Sequence, residues 1–229
     1  MSASFFPYHD IGLRCNPFRA LTNDEWAEMT LIPERIQTLV ASGKGMQILG
    51  DEGLGKTSLL LGLDFHYQRE GLCSTYEYLP DGVSRFKTDL AGLDAFLLDE
   101  AQRLRASEMR RLLRAAKKQN LQIILGSHED LGRFFQRAQI TLASIRLTLS
   151  RERVENILQH KLAYFAREGT VPRRLSPSAM DILMETCSSC RCMEALLYDY
   201  FCTLPAGDCV TGDDLCRFLE AATPPAGVE

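Results

Sequence analysis

Gly50-Asp51-Glu52-Gly53-Leu54-Gly55-Lys56-Thr57 decides the fold of this 229-residue chain. The stretch follows the pattern G-x-x-x-x-G-K-[ST], whose glycines let the backbone turn its amides inward around a phosphate. Residues 46–49 before it form a short apolar run, and residues 56–70 after it repeat apolar side chains at helical spacing. A strand, a glycine-rich loop and a helix in this order predict a phosphate-binding site at the helix N-terminus.

The residue types in the loop predict a nucleoside triphosphate, ATP, with Mg²⁺. We expect Lys56 to reach the β- and γ-phosphate oxygens and the Thr57 hydroxyl to ligate Mg²⁺. The full set of expected nucleotide-binding residues in this stretch is Gly50, Asp51, Glu52, Gly53, Leu54, Gly55, Lys56, Thr57 and Ser58.

Polar residues follow two later apolar runs. Asp99 and Glu100 come directly after residues 95–98. We expect Asp99 to bind nucleotide-associated Mg²⁺ and Glu100 to polarise the attacking water, because phosphoryl transfer needs charge neutralisation and a positioned nucleophile. Ser127 ends the next run, where its hydroxyl either holds the lytic water or γ-phosphate or caps the following helix. His128 is interpreted as a surface residue beside that cap.

The chain alternates strands and helices up to Ser150, which predicts a five-stranded parallel sheet with helices on both faces. The expected strands are 46–49, 74–79, 95–98, 121–125 and 145–149, and the expected helices are 32–41, 56–70, 83–90, 107–118 (capped by Ser107) and 129–136. After Ser150 the pattern indicates helices only, at 151–167, 176–186, 191–204 and 212–222. The predicted domains are an N-terminal arm (1–45), an α/β core (46–150), a helical lid (151–222) and a flexible tail (223–229).

Composition excludes several classes. No apolar run is long enough for a membrane span, and residues 1–7 lack the features of a secretory signal, so we expect a cytoplasmic protein. The net charge is −4. Basic residues nevertheless exceed acidic ones by eight in residues 101–153, a band that can serve a polyanion or an acidic partner.

The chain has eight cysteines, six of them near its end. Cys187 and Cys190 have zinc-like spacing, but the other four form no second pair of that kind, which favours apolar packing over a zinc site. Those four are Cys192, Cys202, Cys209 and Cys216.

These motifs resemble the AAA+ ATPases, specifically the bacterial branch that holds the transposition regulators TniB, TnsC and MuB and the secretion ATPase ExeA. Residues 12–18, Gly-Leu-Arg-Cys-Asn-Pro-Phe, resemble an N-terminal motif of the ExeA-like proteins. Residues 98–104, Leu-Asp-Glu-Ala-Gln-Arg-Leu, are similar to that branch's Walker B region, and residues 123–127 to its sensor 1 strand. The resemblance implies an AAA+ P-loop core with a small C-terminal helical lid.

The resemblance also implies roles for further residues. Ser127 would be sensor 1, and Arg191 would be sensor 2, reaching the γ-phosphate from the lid. AAA+ proteins hydrolyse ATP between subunits, where a neighbour's arginine neutralises charge. The neighbour's arginine is called the arginine finger. Ser144 stands where the Arg-Phe pair of these proteins usually begins, so the arginine finger could be Arg133, Arg137 or Arg146, or a partner could supply it. Only residues 81–92 separate two of the expected strands. The short length of this segment resembles the replication proteins DnaA and Hda rather than the TnsC-like proteins.

The expected function is ATP hydrolysis that controls self-assembly, as a ring or filament, and engagement of a partner such as a transposase or target selector. The expected setting is a DNA transaction such as transposition targeting. Alternatives are a secretion-associated ATPase, a DnaA- or Hda-like replication regulator, and a nucleotide-switched scaffold with weak hydrolysis. One basic helix is a candidate surface for duplex DNA, through Arg110, Arg111, Arg114, Lys117 and Lys118.

Overall fold

A computed structural model describes residues 6–222, apart from the side chains of Asn23 and Ala27. Contacts divide the chain into two units. One unit comprises residues 21–148, and the other combines residues 6–20 with residues 149–222. The predicted arm, 1–45, is therefore shared between the units. The predicted tail, 223–229, lies outside the described residues.

Residues 21–148 are built on one parallel five-stranded sheet, which confirms the predicted α/β fold class. The strands are β1 (Gly45–Leu49), β2 (Ser74–Tyr78), β3 (Ala95–Asp99), β4 (Gln122–Ser127) and β5 (Leu142–Arg146). They follow the order β2-β3-β4-β1-β5. β4 lies between β1 and β3, so the ends of the three strands that carry the candidate site residues are adjacent.

Helices cover this sheet because its central strands are buried on both faces. β1, β3 and β4 are buried along their whole length, so both faces need apolar partners. The helices are α1 (Asn23–Met29), α2 (Glu34–Ala41), α3 (Lys56–Arg69), α4 (Ala106–Gln119) and α5 (Gly132–Ala138), and a 3₁₀ turn spans Ala101–Arg103. α3 packs against β2, β3, β4 and α1, while a second cluster joins α4 and α5 to alternate residues of β3 and β4.

The helix expected over residues 83–90 is wrong. This segment has no regular secondary structure, although Phe86 and Leu90 are buried in the core. The Glu77 carboxylate accepts hydrogen bonds from the backbone N–H groups of Lys87 and Thr88 at 2.8 and 3.0 Å. A side chain of β2 thus satisfies backbone donors that a helix would pair internally.

Several boundaries also differ from prediction. Ser107 is not the cap of α4, because the N-cap is Arg105 and Ser107 lies inside the helix. α5 begins at Gly132 rather than at residue 129. β5 ends at Arg146, opposite Leu49, the last residue of β1. Leu147 comes after the strand and is buried against Gly50, which extends the apolar alternation beyond the pairing.

Residues 6–20 and 149–222 form a second core. It is mainly helical, but the expectation of helices only is wrong, because two short strands at residues 174–175 and 209–210 pair in parallel. Two-residue strands leave no periodic pattern in a sequence. Its elements are a 3₁₀ turn (Pro7–Ile11), α6 (Arg151–Tyr164), β6 (Arg174–Leu175), α7 (Pro177–Thr186), α8 (Cys190–Cys202), β7 (Cys209–Val210) and α9 (Gly212–Ala222).

The motif at residues 12–18 belongs to this helical unit. Leu13 and Phe18 are buried in its core, and the Phe18 ring lies 5.5 Å from that of Phe201. The Asn16 amide donates to the Tyr198 carbonyl at 2.9 Å.

Across residues 6–222, none of the helices is both long and apolar enough to cross a membrane.

Candidate functional site

The glycine-rich loop connects β1 to α3. Gly53 and Gly55 have φ values of 76° and 87°, in the left-handed region that favours glycine. α3 begins at Lys56, and among the described residues no side chain caps it at Gly55. Its first amide groups are therefore available to an anion, and the helix dipole adds positive potential there.

Lys56 lies at the centre of the loop. Its side chain is buried, and its Nζ donates to the carbonyls of Gly50 and Asp51 at 2.8 and 2.9 Å. Burial lowers the pKa of Lys56, while the nearby carboxylates, Glu100 first among them, act to raise it. The loop thus holds a cation in a partly desolvated position, where its attraction to phosphate is stronger than in water.

Thr57 and Asp99 meet at the ends of two elements. The Thr57 hydroxyl donates to Asp99 Oδ2 at 2.6 Å, and the Tyr76 hydroxyl approaches the same oxygen at 3.3 Å. Asp99 is fully buried, and its Oδ1 accepts the backbone N–H of Glu100. A hydroxyl and a carboxylate side by side are the hard oxygen donors that Mg²⁺ prefers, so these residues fit the expected metal.

Gly126 makes room for the Asp99 carboxylate. A Cβ at position 126 would lie 2.5 Å from Asp99 Oδ1 and 2.8 Å from Leu60 Cδ1. Both neighbours are fully buried, so neither can move away without disturbing the core. The requirement for glycine here comes from β4 packing beside β3.

Gly126→Ala should therefore destabilise the protein and disturb the metal ligand together. We expect the free energy of unfolding to fall by about 1–3 kcal/mol, the usual cost of overpacking. Urea unfolding and the magnesium dependence of nucleotide binding measure the two effects. An alanine variant with the parental urea midpoint and magnesium dependence would show that Asp99 is not confined by β4.

Glu100 is held by three side chains. Gln102 Nε2 donates to Oε2 at 2.7 Å, Arg103 pairs with the same oxygen at 3.3 Å, and His128 Nε2 lies 3.3 Å from Oε1. Glu100 also has a φ of 57°, unusual for a residue other than glycine. Backbone strain of this kind persists only where the surroundings fix it, and it is concentrated at functional sites.

His128 is exposed, as the sequence indicates, and it also belongs to this site. Its Nε2 also lies 3.3 Å from Lys56 Nζ, so one ring contacts both the loop lysine and Glu100. Neighbouring Ser127 is buried, and its Oγ bonds to the backbone of Glu129 in both directions, at 2.7 and 3.0 Å. Because α5 begins only at Gly132, this hydroxyl closes a turn and does not cap a helix.

Comparison with known proteins places this geometry in a known fold. No protein-family model matches the chain, and no curated protein matches it. Solved structures do. AMPPCP-bound DnaA from Aquifex aeolicus matches with a TM-score of 0.58 and 18% identity over 86% of this chain and 68% of that one. DnaA bound to AMPPCP and single-stranded DNA gives 0.59 and 17% over 89% and 70%.

The ADP complex of NtrX from Brucella abortus matches with a TM-score of 0.52 and 15% identity, over 84% of this chain and 57% of NtrX. The shared feature is the parallel five-stranded sheet with its flanking helices. The chain has the AAA+ fold. At these identities the likeness establishes the AAA+ fold, while membership of the transposition and secretion branch stays a hypothesis.

The other residues assigned by resemblance to AAA+ proteins lie on several elements. Arg191 is the second residue of α8, in the helical unit. The finger candidates are exposed on the AAA+ core: Arg133 and Arg137 on α5, and Arg146 at the end of β5. Hydrogen bonds from the Gln47 side chain and the Gly132 backbone lower the pKa of the Asp130 carboxyl, and the Arg146 charge acts in the same direction.

The five basic residues of α4 are all exposed, but they do not have the same surroundings. The Arg111 guanidinium lies 3.9 Å from the centre of the Phe86 ring and pairs with Glu108 at 2.8 Å. Arg111 thus covers the irregular segment at residues 83–90. The remaining four, Arg110, Arg114, Lys117 and Lys118, leave a basic stripe on the outer face of α4.

The eight cysteines are free thiols. Within residues 6–222, no three side chains of His, Cys, Asp or Glu form a group that could hold a metal ion. Cys187 and Cys190 of the zinc-like spacing are both buried in the helical core.

Proposed function

We propose that this chain is an ATPase that binds ATP with Mg²⁺ on the loop at residues 50–58 and hydrolyses it beside Glu100. One observation carries the proposal: Lys56, the Thr57–Asp99 pair and Glu100 converge at the carboxyl ends of adjacent parallel strands. That edge is where ligands bind in open α/β sheets. The solved neighbours in complex with AMPPCP and ADP support a nucleotide as the ligand.

Each residue has a separate task in this proposal. The loop amides and Lys56 bind the phosphates and stabilise charge that develops on the γ-phosphoryl oxygens. Thr57 and Asp99 would hold Mg²⁺, which supplies charge neutralisation to the triphosphate. Glu100 accepts a hydrogen bond from the attacking water and orients it, and Gln102, Arg103 and His128 fix the position of that carboxylate.

Phosphate release under steady-state conditions tests this function. We expect turnover that saturates with ATP, requires magnesium and stops when EDTA is added. Because Arg133, Arg137 and Arg146 are exposed and an AAA+ site is completed by a neighbour's arginine, turnover should also rise with protein concentration. No phosphate release at any protein concentration, with ATP still bound, would replace hydrolysis with the nucleotide-switched scaffold.

The proposed role of hydrolysis is to control self-assembly and partner engagement in a DNA transaction. ATP that binds between subunits favours the assembled state, and its hydrolysis removes that differential affinity. The DnaA complex with single-stranded DNA makes a replication-regulator role compatible with this fold, beside the transposition-targeting role. A secretion-type ATPase would instead show no DNA affinity at low salt, together with stimulation by a protein partner.

The basic stripe on α4 favours DNA as a partner. It presents four exposed cations on one helix, while the apolar side of α4, including Met109 and Leu112, is buried in the core. Lys and Arg in such an arrangement bind phosphates without reading base sequence. The proposed DNA contact is therefore sequence-independent and sensitive to salt.

Arg110→Ala/Arg114→Ala should weaken DNA binding and reduce its dependence on salt. Each lost phosphate contact lowers the slope of log K against log salt by about 0.9 on duplex DNA and about 0.7 on single strands. Fluorescence anisotropy with both kinds of DNA, titrated from low to moderate salt, measures the slope. Arg35→Ala/Lys44→Ala removes two exposed cations elsewhere on the core and serves as the control. Equal slopes for the two double variants would exclude α4 as the DNA surface.

A further inference from the structure

The corner between α7 and α8 brings together two thiols that the proposed ATPase function does not use. The Sγ atoms of Cys187 and Cys192 lie 2.7 Å apart. A disulfide bond is about 2.05 Å long, so the two sulfurs need to approach by only about 0.65 Å to reach bonding distance. Cys187 is buried at the end of α7, whereas Cys192 is exposed on α8.

Helix capping explains why these sulfurs meet. Ser189 is the N-cap of α8, and its Oγ accepts a hydrogen bond from the backbone N–H of Cys192 at 3.2 Å. Cys192 is therefore the third residue of the helix, and a side chain at that position points back over the residues before the cap. Cys187 lies two residues before the cap in an extended conformation, with φ −115° and ψ 132°. The local backbone thus directs one sulfur onto the other.

We propose that Cys187 and Cys192 form a reversible intramolecular disulfide when the protein meets a small-molecule disulfide such as oxidised glutathione. The Cys192 thiolate attacks one sulfur of that molecule, the bond between its two sulfurs breaks, and one small thiolate leaves. The Cys187 thiol then loses its proton and attacks Cys192 Sγ, which releases the second small thiol. The protein gives up two protons and two electrons, and the small disulfide takes up both.

Exposure and burial assign the order of these steps. Solvent reaches the Cys192 side chain, so this thiol meets the oxidant first. Burial and the neighbouring Cys192 sulfur raise the pKa of Cys187 to about 12. Cys187 is therefore a weak nucleophile toward molecules in solution and reacts with the sulfur already beside it. The disulfide closes a ring over residues 187–192, which includes Arg191.

Cys190 is the matched control. It shares the corner and is also buried, with a pKa that burial raises, but the close sulfur contact joins Cys187 to Cys192. Its C-x-x-C spacing with Cys187 would make Cys187–Cys190 the pair expected from sequence alone. The structure and the sequence motif thus favour different partners, which an experiment can separate.

The test is peptide mapping of the full chain after incubation with oxidised glutathione and alkylation of the remaining thiols. Trypsin cleaves after Arg191, between the paired cysteines, so a Cys187–Cys192 disulfide joins peptides 175–191 and 192–217 until a reductant is added. We expect this linked pair, with fragmentation assigning the bond, in the parent and in Cys190→Ala, and its loss in Cys187→Ala and Cys192→Ala.

Three results would overturn the proposal: a link that survives in Cys192→Ala, a bond that fragmentation assigns to Cys187–Cys190, or both thiols alkylated after full incubation. Because Cys192 is exposed, Cys192→Ala should keep the parental thermal unfolding transition, which shows that a lost link does not come from lost folding. The mapping does not involve ATP, so its outcome is independent of the proposed ATPase function.

Discussion

Lys56→Ala should weaken ATP binding by about 10²-fold or more. A hydrogen bond from a charged donor contributes about 1.5–3 kcal/mol, and each 1.4 kcal/mol changes affinity tenfold. Lys56 is buried inside the loop and carries several donors, so the expected loss is that of two such bonds to the β- and γ-phosphates. Isothermal titration with a slowly hydrolysed ATP analogue measures it.

Lys44→Ala is the matched control, since Lys44 is an exposed lysine close to the loop in sequence. It should bind the analogue as the parent does. The Lys56 variant should keep a cooperative unfolding transition. It loses the hydrogen bonds to Gly50 and Asp51, but it also loses the free-energy cost of burying a charged amine, the same burial that lowers the pKa of Lys56. Parental affinity in folded Lys56→Ala would mean that the phosphates bind elsewhere.

Glu100→Gln should reduce ATP hydrolysis by about 10²-fold or more while ATP stays bound. A positioned general base contributes 10²–10⁴-fold, and glutamine has the shape of glutamate without its basicity. The carbonyl oxygen of glutamine can still accept the bond from Gln102, so the local packing is retained. Single-turnover hydrolysis, measured beside equilibrium binding, separates chemistry from affinity.

Glu129→Gln provides the control for this carboxylate. Glu129 is exposed, and its contacts with Ser127 are made by its backbone, so the change should leave hydrolysis at the parental rate. A Glu100→Gln variant that hydrolyses as fast as Glu129→Gln would remove Glu100 from the reaction. His128 and Arg103, which contact Glu100, would then have a structural role only.

The parts of the fold that sequence predicted are those governed by local patterns. The loop motif, the buried strands and α3 depend on residues within a few positions of each other, and each was predicted to within two residues of its observed bounds. The prediction of a helix over residues 83–90 failed because Glu77, on another element, binds the backbone of this segment. The predicted bounds of β5 lay too far toward the C-terminus, because Leu147 and Leu149 continue the apolar alternation of the strand after its partner β1 has ended.

In the candidate site, too, the residues in local motifs were predicted and those that act across strands were not. Lys56, Thr57, Asp99 and Glu100 were identified from motifs, and the sheet order brings them together. Tyr76 and Gly126 were missed because each acts on Asp99 across neighbouring strands. The available signals were weak: a glycine at the end of an apolar strand, and a tyrosine on β2 beside the Asp99 strand.

His128 is exposed, as its position after Ser127 in a loop predicts. Its contacts come from α3 and from the turn after β3, and sequence spacing does not reveal them. A histidine directly after β4, at the sheet edge that carries the loop lysine, could have been weighed as a site residue. Gln102 and Arg103 lie inside the motif at residues 98–104, but only the structure shows them holding Glu100.

Equilibrium binding of ATP to the parent protein tests the central claim most directly. A fluorescent ATP analogue titrated with the full chain in the presence of Mg²⁺ should bind saturably at one site per chain, and unlabelled ATP and ADP should displace it. EDTA should weaken that binding, because Thr57 and Asp99 form the proposed metal site. Absence of saturable binding by the folded protein would contradict the assignment of residues 50–58 as a nucleotide-binding loop.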